Sequence, residues 1–240
     1  MLGQNVNSYH DGKGGSFPEL LKKVAAISPL LRVRFATSHP KDLSDELIEA
    51  MAKVPNICKS LHLPVQSGSN TVLKRMNRKY TRDTYLKRLN AIRQNIPEIT
   101  ISTDIIAGFS GETEEEHQET ISLMKEASYY YAFMFKYSER EGTAAARNLP
   151  DDVDDGVKTR RLNEIISLQQ DMSLENYRRD IGKTYEVLVE GISKRSKKQV
   201  FGRTSGNKVV VFDGDQSMIG QYTTVTIDSC TAATLLGKRI

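Results

Sequence analysis

The sequence has no tryptophan, two cysteines in 240 residues, and no long apolar run. A helix needs roughly 20 consecutive apolar residues to cross a bilayer, so no segment reads as a membrane span. Cys58 and Cys230 lie in different segments far apart. A disulfide framework is therefore not expected, and a cysteine-ligated metal centre cannot be built from this chain alone. Both cysteines read as ordinary buried or half-buried thiols. The stretch from Met1 to Asp11 is polar and rich in Gly and Asn, unlike a secretory leader, and the expected location is the cytoplasm.

A strong overall charge is also missing. The net charge is +4, but it is unevenly distributed. From Arg178 onward there are eleven Lys/Arg against six Asp/Glu, while residues 1–177 carry the remaining 23 against 24. A basic module beside a near-neutral one points to a polyanionic partner for the module. The near-neutral part is expected to add little to affinity for such a partner.

What is present is an alternation. Short apolar runs at Leu31–Ala36, Ser60–Pro64, Ile99–Ile106 and Ala132–Tyr137 are separated by helical patterns. Ser44 reads as an N-cap followed by Asp45 and Glu46. Thr81 caps a segment in which Tyr85, Leu86, Leu89 and Ile92 recur at helical spacing. Thr113 and Glu116 form a capping-box pair. Such alternation predicts βαβ units and a parallel sheet, either open and doubly wound or part of a barrel. A long helix is expected over 157–179, with Leu162, Ile165, Ile166, Leu168 and Met172 as its apolar stripe. Beyond Lys183 the pattern becomes short and β-rich, with runs at Tyr185–Glu190, Lys198–Thr204, Lys208–Phe212 and Tyr222–Ile227. Gly206-Asn207 is a hairpin signal, and the whole suggests a small five-stranded, OB-like barrel.

Read with a period of two, each strand of the first part has an apolar and a polar face. Leu61, Leu63 and Val65 oppose His62 and Gln66; Ile101 and Ile105 oppose Ser102 and Asp104. Val33 and Phe35 oppose Arg34 and Ser38, and Phe133, Phe135 and Tyr137 oppose Met134, Lys136 and Ser138. A parallel strand covered on both sides should be almost continuously apolar. The departure predicts a barrel whose outer face packs on helices and whose inner face lines a polar cavity. The bland alternative is that Arg34, His62, Asp104 and Lys136 merely pair with one another; buried charges are costly unless paired. In such folds the site lies at the C-terminal strand ends, here Ser38-His39-Pro40, Gln66-Ser67-Gly68-Ser69 and Gly108-Phe109-Ser110-Gly111-Glu112.

Further stretches adjoin these: Leu2-Gly3-Gln4-Asn5-Val6-Asn7-Ser8-Tyr9, Arg34-Phe35-Ala36-Thr37-Ser38-His39-Pro40, His62-Leu63-Pro64-Val65-Gln66-Ser67-Gly68-Ser69, Lys74-Arg75-Met76-Asn77-Arg78 and Asp104-Ile105-Ile106-Ala107-Gly108-Phe109. In order and spacing they resemble the MiaB-type tRNA methylthiotransferases of the radical-SAM class, over essentially the whole chain. Gln199 to Phe212, with Gly202-Arg203-Thr204 and Gly206-Asn207-Lys208, resembles that family's TRAM domain. Ser110, where the family usually has proline, and Glu139, Glu141 and Ala144, in a loop that is usually proline-rich, depart from the pattern.

The resemblance implies an α/β fold: a partial parallel β/α barrel of the radical-SAM type, strands three to six, over residues 1–177 with a linker helix. An all-β OB-like TRAM domain would follow over 178–240. It implies insertion of a methylthio group at C2 of an N6-prenylated adenosine beside the anticodon, using S-adenosylmethionine and two 4Fe-4S clusters, on the anticodon stem-loop of tRNA. Gln66, Ser67, Asp104, Ser38, Gly108 and Asn5 would then contact S-adenosylmethionine, and Arg34, His62 and Lys136 would orient the substrate. Lys194, Arg195, Lys197, Lys198, Arg203 and Lys208 would contact RNA phosphates, which give affinity but little sequence information. Two other readings stay open: a standalone RNA-binding protein with the barrel as scaffold, and a different β/α-barrel enzyme with a TRAM-like appendage.

The family's cluster cysteines have no counterparts here, so the chain by itself is expected to be inactive. Anaerobic reconstitution with iron and sulfide should leave it without a cluster and without 5′-deoxyadenosine formation. About four irons per chain together with turnover would contradict this.

Overall fold

The computed structural model describes residues 1–2, 5–36 and 39–240. Its helices start where the sequence supplies caps. Helix α1 (Phe17–Ala25) follows a Ser16/Glu19 capping box, and α2 (Asp45–Lys53) begins with the Leu47 amide donating to Ser44. A short helix, α3 (Asn70–Arg75), precedes α4 (Arg82–Asn95), which is capped by Thr81; α5 (Glu114–Ala127) is capped by the Thr113/Glu116 box. These caps satisfy amides that a helix start leaves unpaired.

Strands β1 (Ser60–His62), β2 (Thr100–Ala107) and β3 (Tyr131–Lys136) form a parallel sheet in that order. The strand expected at 31–36 is reduced to one parallel bridge, Val33 to Ile57. It lies beside a β1 only three residues long, which offers little ladder to pair with. One sheet face carries Leu61, Ile101, Ile105 and Ala132, all buried against helices in a single apolar core. That packing is close at Gly68, where a Cβ would come within 2.5 Å of the Glu119 carbonyl oxygen. Glycine is required there for α5 to approach.

After the short α6 (Ala144–Asn148), helix α7 (Asp155–Arg178) runs across the sheet edge. Its buried face is more polar than the stripe expected from the sequence. Of that stripe only Ile165 is fully buried, and Gln169, Ser173 and Asn176 are buried with it. The cause is β3's approach, which presents unpaired carbonyls. Gln169 and Asn176 donate to the Tyr129 carbonyl, each at 3.1 Å, and Ser173 donates to that of Tyr130 at 2.9 Å. Buried carbonyls need such partners.

The last five strands are β4 (Thr184–Ile192), β5 (Gln199–Arg203), β6 (Val209–Asp213), β7 (Tyr222–Cys230) and β8 (Leu235–Arg239). They close into a barrel in the order β4-β5-β6-β8-β7 around its own core of Val187, Val200, Val210, Phe212 and Ile227. Closure removes exposed sheet edges. Among the described residues, no helix is long and apolar enough to cross a membrane.

The two parts are docked through the β5–β6 turn, which seats at the N-terminal ends of the parallel strands. Lys59 donates its amide to Ser205 (3.1 Å), and Thr100 donates its hydroxyl to the Gly206 carbonyl. Arg32 reaches the Arg203 carbonyl and Glu186, and its guanidinium stacks over Tyr222 at 4.9 Å. At the centre lies a buried ion pair, Lys208 to Asp180 at 2.6 Å, with side chains 6% and 0% exposed. Tyr185 donates to the other Asp180 oxygen at 2.6 Å, and Lys208 donates to Tyr130 at 3.2 Å. Burial and the hydrogen bond to Asp180 push the Tyr185 phenol well above its ordinary range.

Removing one partner of a buried pair strands the other charge and costs about 3–5 kcal/mol. Lys208→Met should therefore lower stability by about that amount in urea titrations, and adding Asp180→Leu should recover much of it. A single variant as stable as wild type would show that Asp180 is not held as a buried anion.

Candidate functional site

The sheet face away from the helices is open. It carries Ser60, His62, Ser102 and Asp104, in register with Tyr131, Phe133 and Phe135 of β3. His62 is hydrogen-bonded at one ring nitrogen and lies beside a carboxylate at the other. Nδ1 is 3.0 Å from the Ser102 hydroxyl, and Nε2 is 3.3 Å from the Asp104 carboxylate. The His62 ring meets Phe133 edge-on at 5.6 Å, and Phe133 meets Tyr131 at 4.9 Å. The three aromatic side chains are about half exposed (46–53%). An imidazole–carboxylate contact beside open aromatic faces can orient and stack a planar heterocycle.

The rim of this face at the C-terminal strand ends is built from three segments. Asn7 exchanges two hydrogen bonds with the His39 backbone (3.0 and 3.1 Å), and Asn5 donates to Asp42 at 2.6 Å. Gln66 adopts a left-handed backbone (φ 71°), is nearly buried, and its backbone pairs with β2 on both sides of Ile105. Tyr80 donates to the Val65 carbonyl at 3.0 Å, and its ring packs edge-on against His39. Burial pushes the Tyr80 phenol up to about 12. Burial, and then the nearby Arg78 charge, holds the His39 imidazole below its ordinary value. Asn5 Oδ1, Ser69 Oγ and Ser110 Oγ are buried on this rim without a hydrogen-bond partner among the described residues. Unpaired buried acceptors of this kind fit a polar ligand.

Several expected positions differ. The β3 register is the reverse of the sequence reading: Phe133 and Phe135 share the open face with Asp104, and Lys136 lies on the helix side, paired with Asp155 at 2.8 Å. The apolar character of the aromatics suggested the covered face; the small Ala132, fully buried, was the residue that marked it. Ser67 is fully buried, with its hydroxyl 3.2 Å from that of Thr120 and accepting from the Ser69 amide. It fastens α5 rather than lining the rim. Arg34 turns to the tail domain, donating to the Thr204 carbonyl at 3.1 Å and pairing with Glu190 at 3.5 Å. Gly108 has φ +74°, and the space beside it is filled by the Lys158 stem, where a Cβ would come within 2.3 Å. Ser38 lies outside the described residues.

In the tail, Lys194, Arg195, Lys197 and Lys198 are exposed on the β4–β5 turn and make no ion pair among the described residues. Arg203 is half-buried and pairs with Glu190 at 3.0 Å. Lys208, expected on an RNA-facing surface, is instead the buried partner of Asp180, because its stem crosses the domain junction. Cys58 is buried in the first part and Cys230 sits in the tail barrel, both as free thiols. The ligand set of a 4Fe-4S cluster therefore does not fit this chain's residues.

The family model for the radical SAM superfamily matches residues 2–124, and that for the TRAM domain matches residues 178–240. A tRNA-2-methylthio-N(6)-dimethylallyladenosine synthase from Phocaeicola vulgatus is 58% identical over 243 residues, covering all of this chain and 53% of that protein. The proteins of the same name from Bacteroides thetaiotaomicron and Chlorobium luteolum are 56% and 53% identical, again over all of this chain and 54% of each. The chain thus spans about half the length of the curated relatives it matches. Among solved structures, coproporphyrinogen III oxidase from Escherichia coli superposes with a TM-score of 0.52 at 16% identity, covering 87% of this chain and 51% of that one. That likeness speaks for the fold alone. A three-stranded parallel sheet with a polar open face, a closed five-stranded tail barrel and alignment of the whole chain with these synthases lead to one assignment: the chain belongs to the radical SAM superfamily and carries a TRAM domain.

Proposed function

We propose that this chain is the barrel-and-TRAM part of a cytoplasmic tRNA methylthiotransferase, which inserts a methylthio group at C2 of N6-prenyladenosine next to the anticodon. The observation that carries this is the alignment of the whole chain, at 58% identity, with a synthase named for that product. In this reading residues 1–177 are the barrel with its linker helix, and 178–240 hold the anticodon stem-loop through phosphates.

The unpaired polar atoms of Asn5, Ser69 and Ser110 support a place for S-adenosylmethionine on the C-terminal rim, beside Gln66 and Asp104. Gly108 would shape that rim through its backbone, and Ser38 belongs to the same segment of sequence. Bound S-adenosylmethionine would supply the radical chemistry of the family. The chain's own residues orient and enclose. His62, bonded to Ser102, sits beside the Asp104 carboxylate, and Tyr131, Phe133 and Phe135 offer faces on which an adenine ring can stack. The two 4Fe-4S clusters of such an enzyme need thiolates that this chain's two cysteines do not provide.

A chimera tests the reading. In it this chain replaces the aligned half of the Phocaeicola vulgatus synthase, in a strain lacking that activity. Nucleoside mass spectrometry should recover the methylthio modification, and His62→Ala with Asp104→Ala should reduce it at least about tenfold through lost positioning. A folded chimera that binds tRNA without modifying it would favour a purely RNA-binding role for these residues.

A further inference from the structure

The half-barrel is near neutral as a whole, yet its charge is not evenly mixed. Residues 74–93 hold eight Lys/Arg and a single carboxylate, Asp83. The structure separates these cations into two groups. Arg75, Arg82, Arg88 and Arg93 are engaged in holding the fold. Arg75 pairs with Glu116 at 2.6 Å, Arg82 with Glu126 at 3.0 Å and Arg88 with Asp45, while Arg93 donates to the Ala127 carbonyl. Lys74, Lys79 and Lys87 are exposed and make no ion pair among the described residues, and the same holds for Lys41 on the neighbouring loop. Arg78 is half-buried, and its Nε has no partner.

These free cations are not scattered. Two grooves, each of about 420 Å³, meet at the corner between α3 and α4 and share Lys79, Tyr80 and Thr84 as a common wall. Lys41, Lys87 and Arg88 line one; Lys74 and Arg78 line the other; among the described residues no carboxylate lines either. The wall is rigid, because Tyr80 is anchored on the Val65 carbonyl. Solvated helix faces in this protein look different. On α5 and α7, Glu114, Glu164 and Arg160 interleave and neutralise one another. A carboxylate-free track of cations, longer than one anion and walled by an aromatic and a threonine, matches a chain of phosphates.

Its place in the fold narrows the partner. The corner borders the rim through His39, Pro40 and Tyr80, at the C-terminal ends of the strands. The TRAM domain is docked at the opposite, N-terminal ends, on Lys59 and Thr100. We infer that the α3–α4 corner is a second RNA-backbone site. It grips the strand that enters the rim, while the TRAM domain binds phosphates at the far end of the same rigid body. This rests on the reading that the chain binds tRNA, and it assigns to the barrel a large part of the affinity that the charge totals alone had given to the tail.

The test compares the full chain with two variants in salt-dependent titrations against a tRNA stem-loop. The corner variant is Lys41→Ala, Lys74→Ala, Lys79→Ala and Lys87→Ala. The turn variant is Lys194→Ala, Arg195→Ala, Lys197→Ala and Lys198→Ala. If each lysine of the corner meets a phosphate, the log–log salt slope should become shallower by about 3, and affinity should fall at least about tenfold. The turn variant should lose a similar amount independently, and replacing the four corner lysines by Arg should restore the wild-type slope. All four side chains are exposed, so circular dichroism should show unchanged folding. A corner variant with the wild-type slope, in a chain that binds the RNA, overturns this inference and leaves the proposed function standing. A wild-type chain that binds no RNA overturns both. Equal affinity of the corner for polyglutamate would place an acidic protein there and overturn the RNA assignment.

Discussion

The structure depends on one buried charge pair. Lys208 of the tail barrel and Asp180, just beyond α7, are closed off from solvent together, with Tyr130 and Tyr185 completing their hydrogen bonds. A pair of this kind is weak evidence for stability and better evidence for a specified geometry, because a partner misplaced by a few ångströms leaves a charge without compensation. The surrounding contacts work in the same direction. Arg32 and Arg34 reach across to carbonyls of the tail, and the Ser205–Gly206 tip inserts against Lys59 and Thr100. Two small cores are thereby held as one body, and surfaces on each can act on one large ligand.

The same constraint explains the polarity of the sheet. Its helix-covered face is apolar and closely packed, down to the glycine that α5 requires at position 68. The other face keeps its polar and aromatic side chains for a ligand. His62 is bonded to Ser102 and sits beside the Asp104 carboxylate before any ligand arrives. Beyond the strand ends, unpaired acceptors and free cations gather on the rim.

Much of this was legible in the sequence because it is local. The Ser44, Thr81 and Thr113 caps, the alternation of strand and helix, the change of pattern near Lys183 and the turn at Gly206-Asn207 all rest on neighbouring residues. Strand parity puts His62 and Asp104 on the polar faces of their strands; their contact with each other is the bland alternative of the sequence reading. What failed was long-range or ambiguous in chemistry. Alternation with apolarity puts Phe133 and Phe135 on the covered face and Lys136 on the open one; the register with β2 reverses both. Lys208 looked like one of a cluster of surface cations; only the approach of Asp180 from the end of α7 shows its burial. Ser67 sits in a motif but bonds inward to Thr120, a helix far away in sequence. The grouping of Lys41 with Lys74, Lys79 and Lys87 was hidden by summing charge over the whole first part.

In the proposed reading, RNA is held at both ends of one body, with the polar sheet face between. Hydrogen exchange of the full chain with and without a tRNA stem-loop tests it most directly. Protection on binding is expected at the 194–198 turn and, in the same complex, at the 74–87 corner, while the interdomain contacts around Lys208 stay protected in both states. Protection confined to the turn, or loss of protection at the junction, would contradict it.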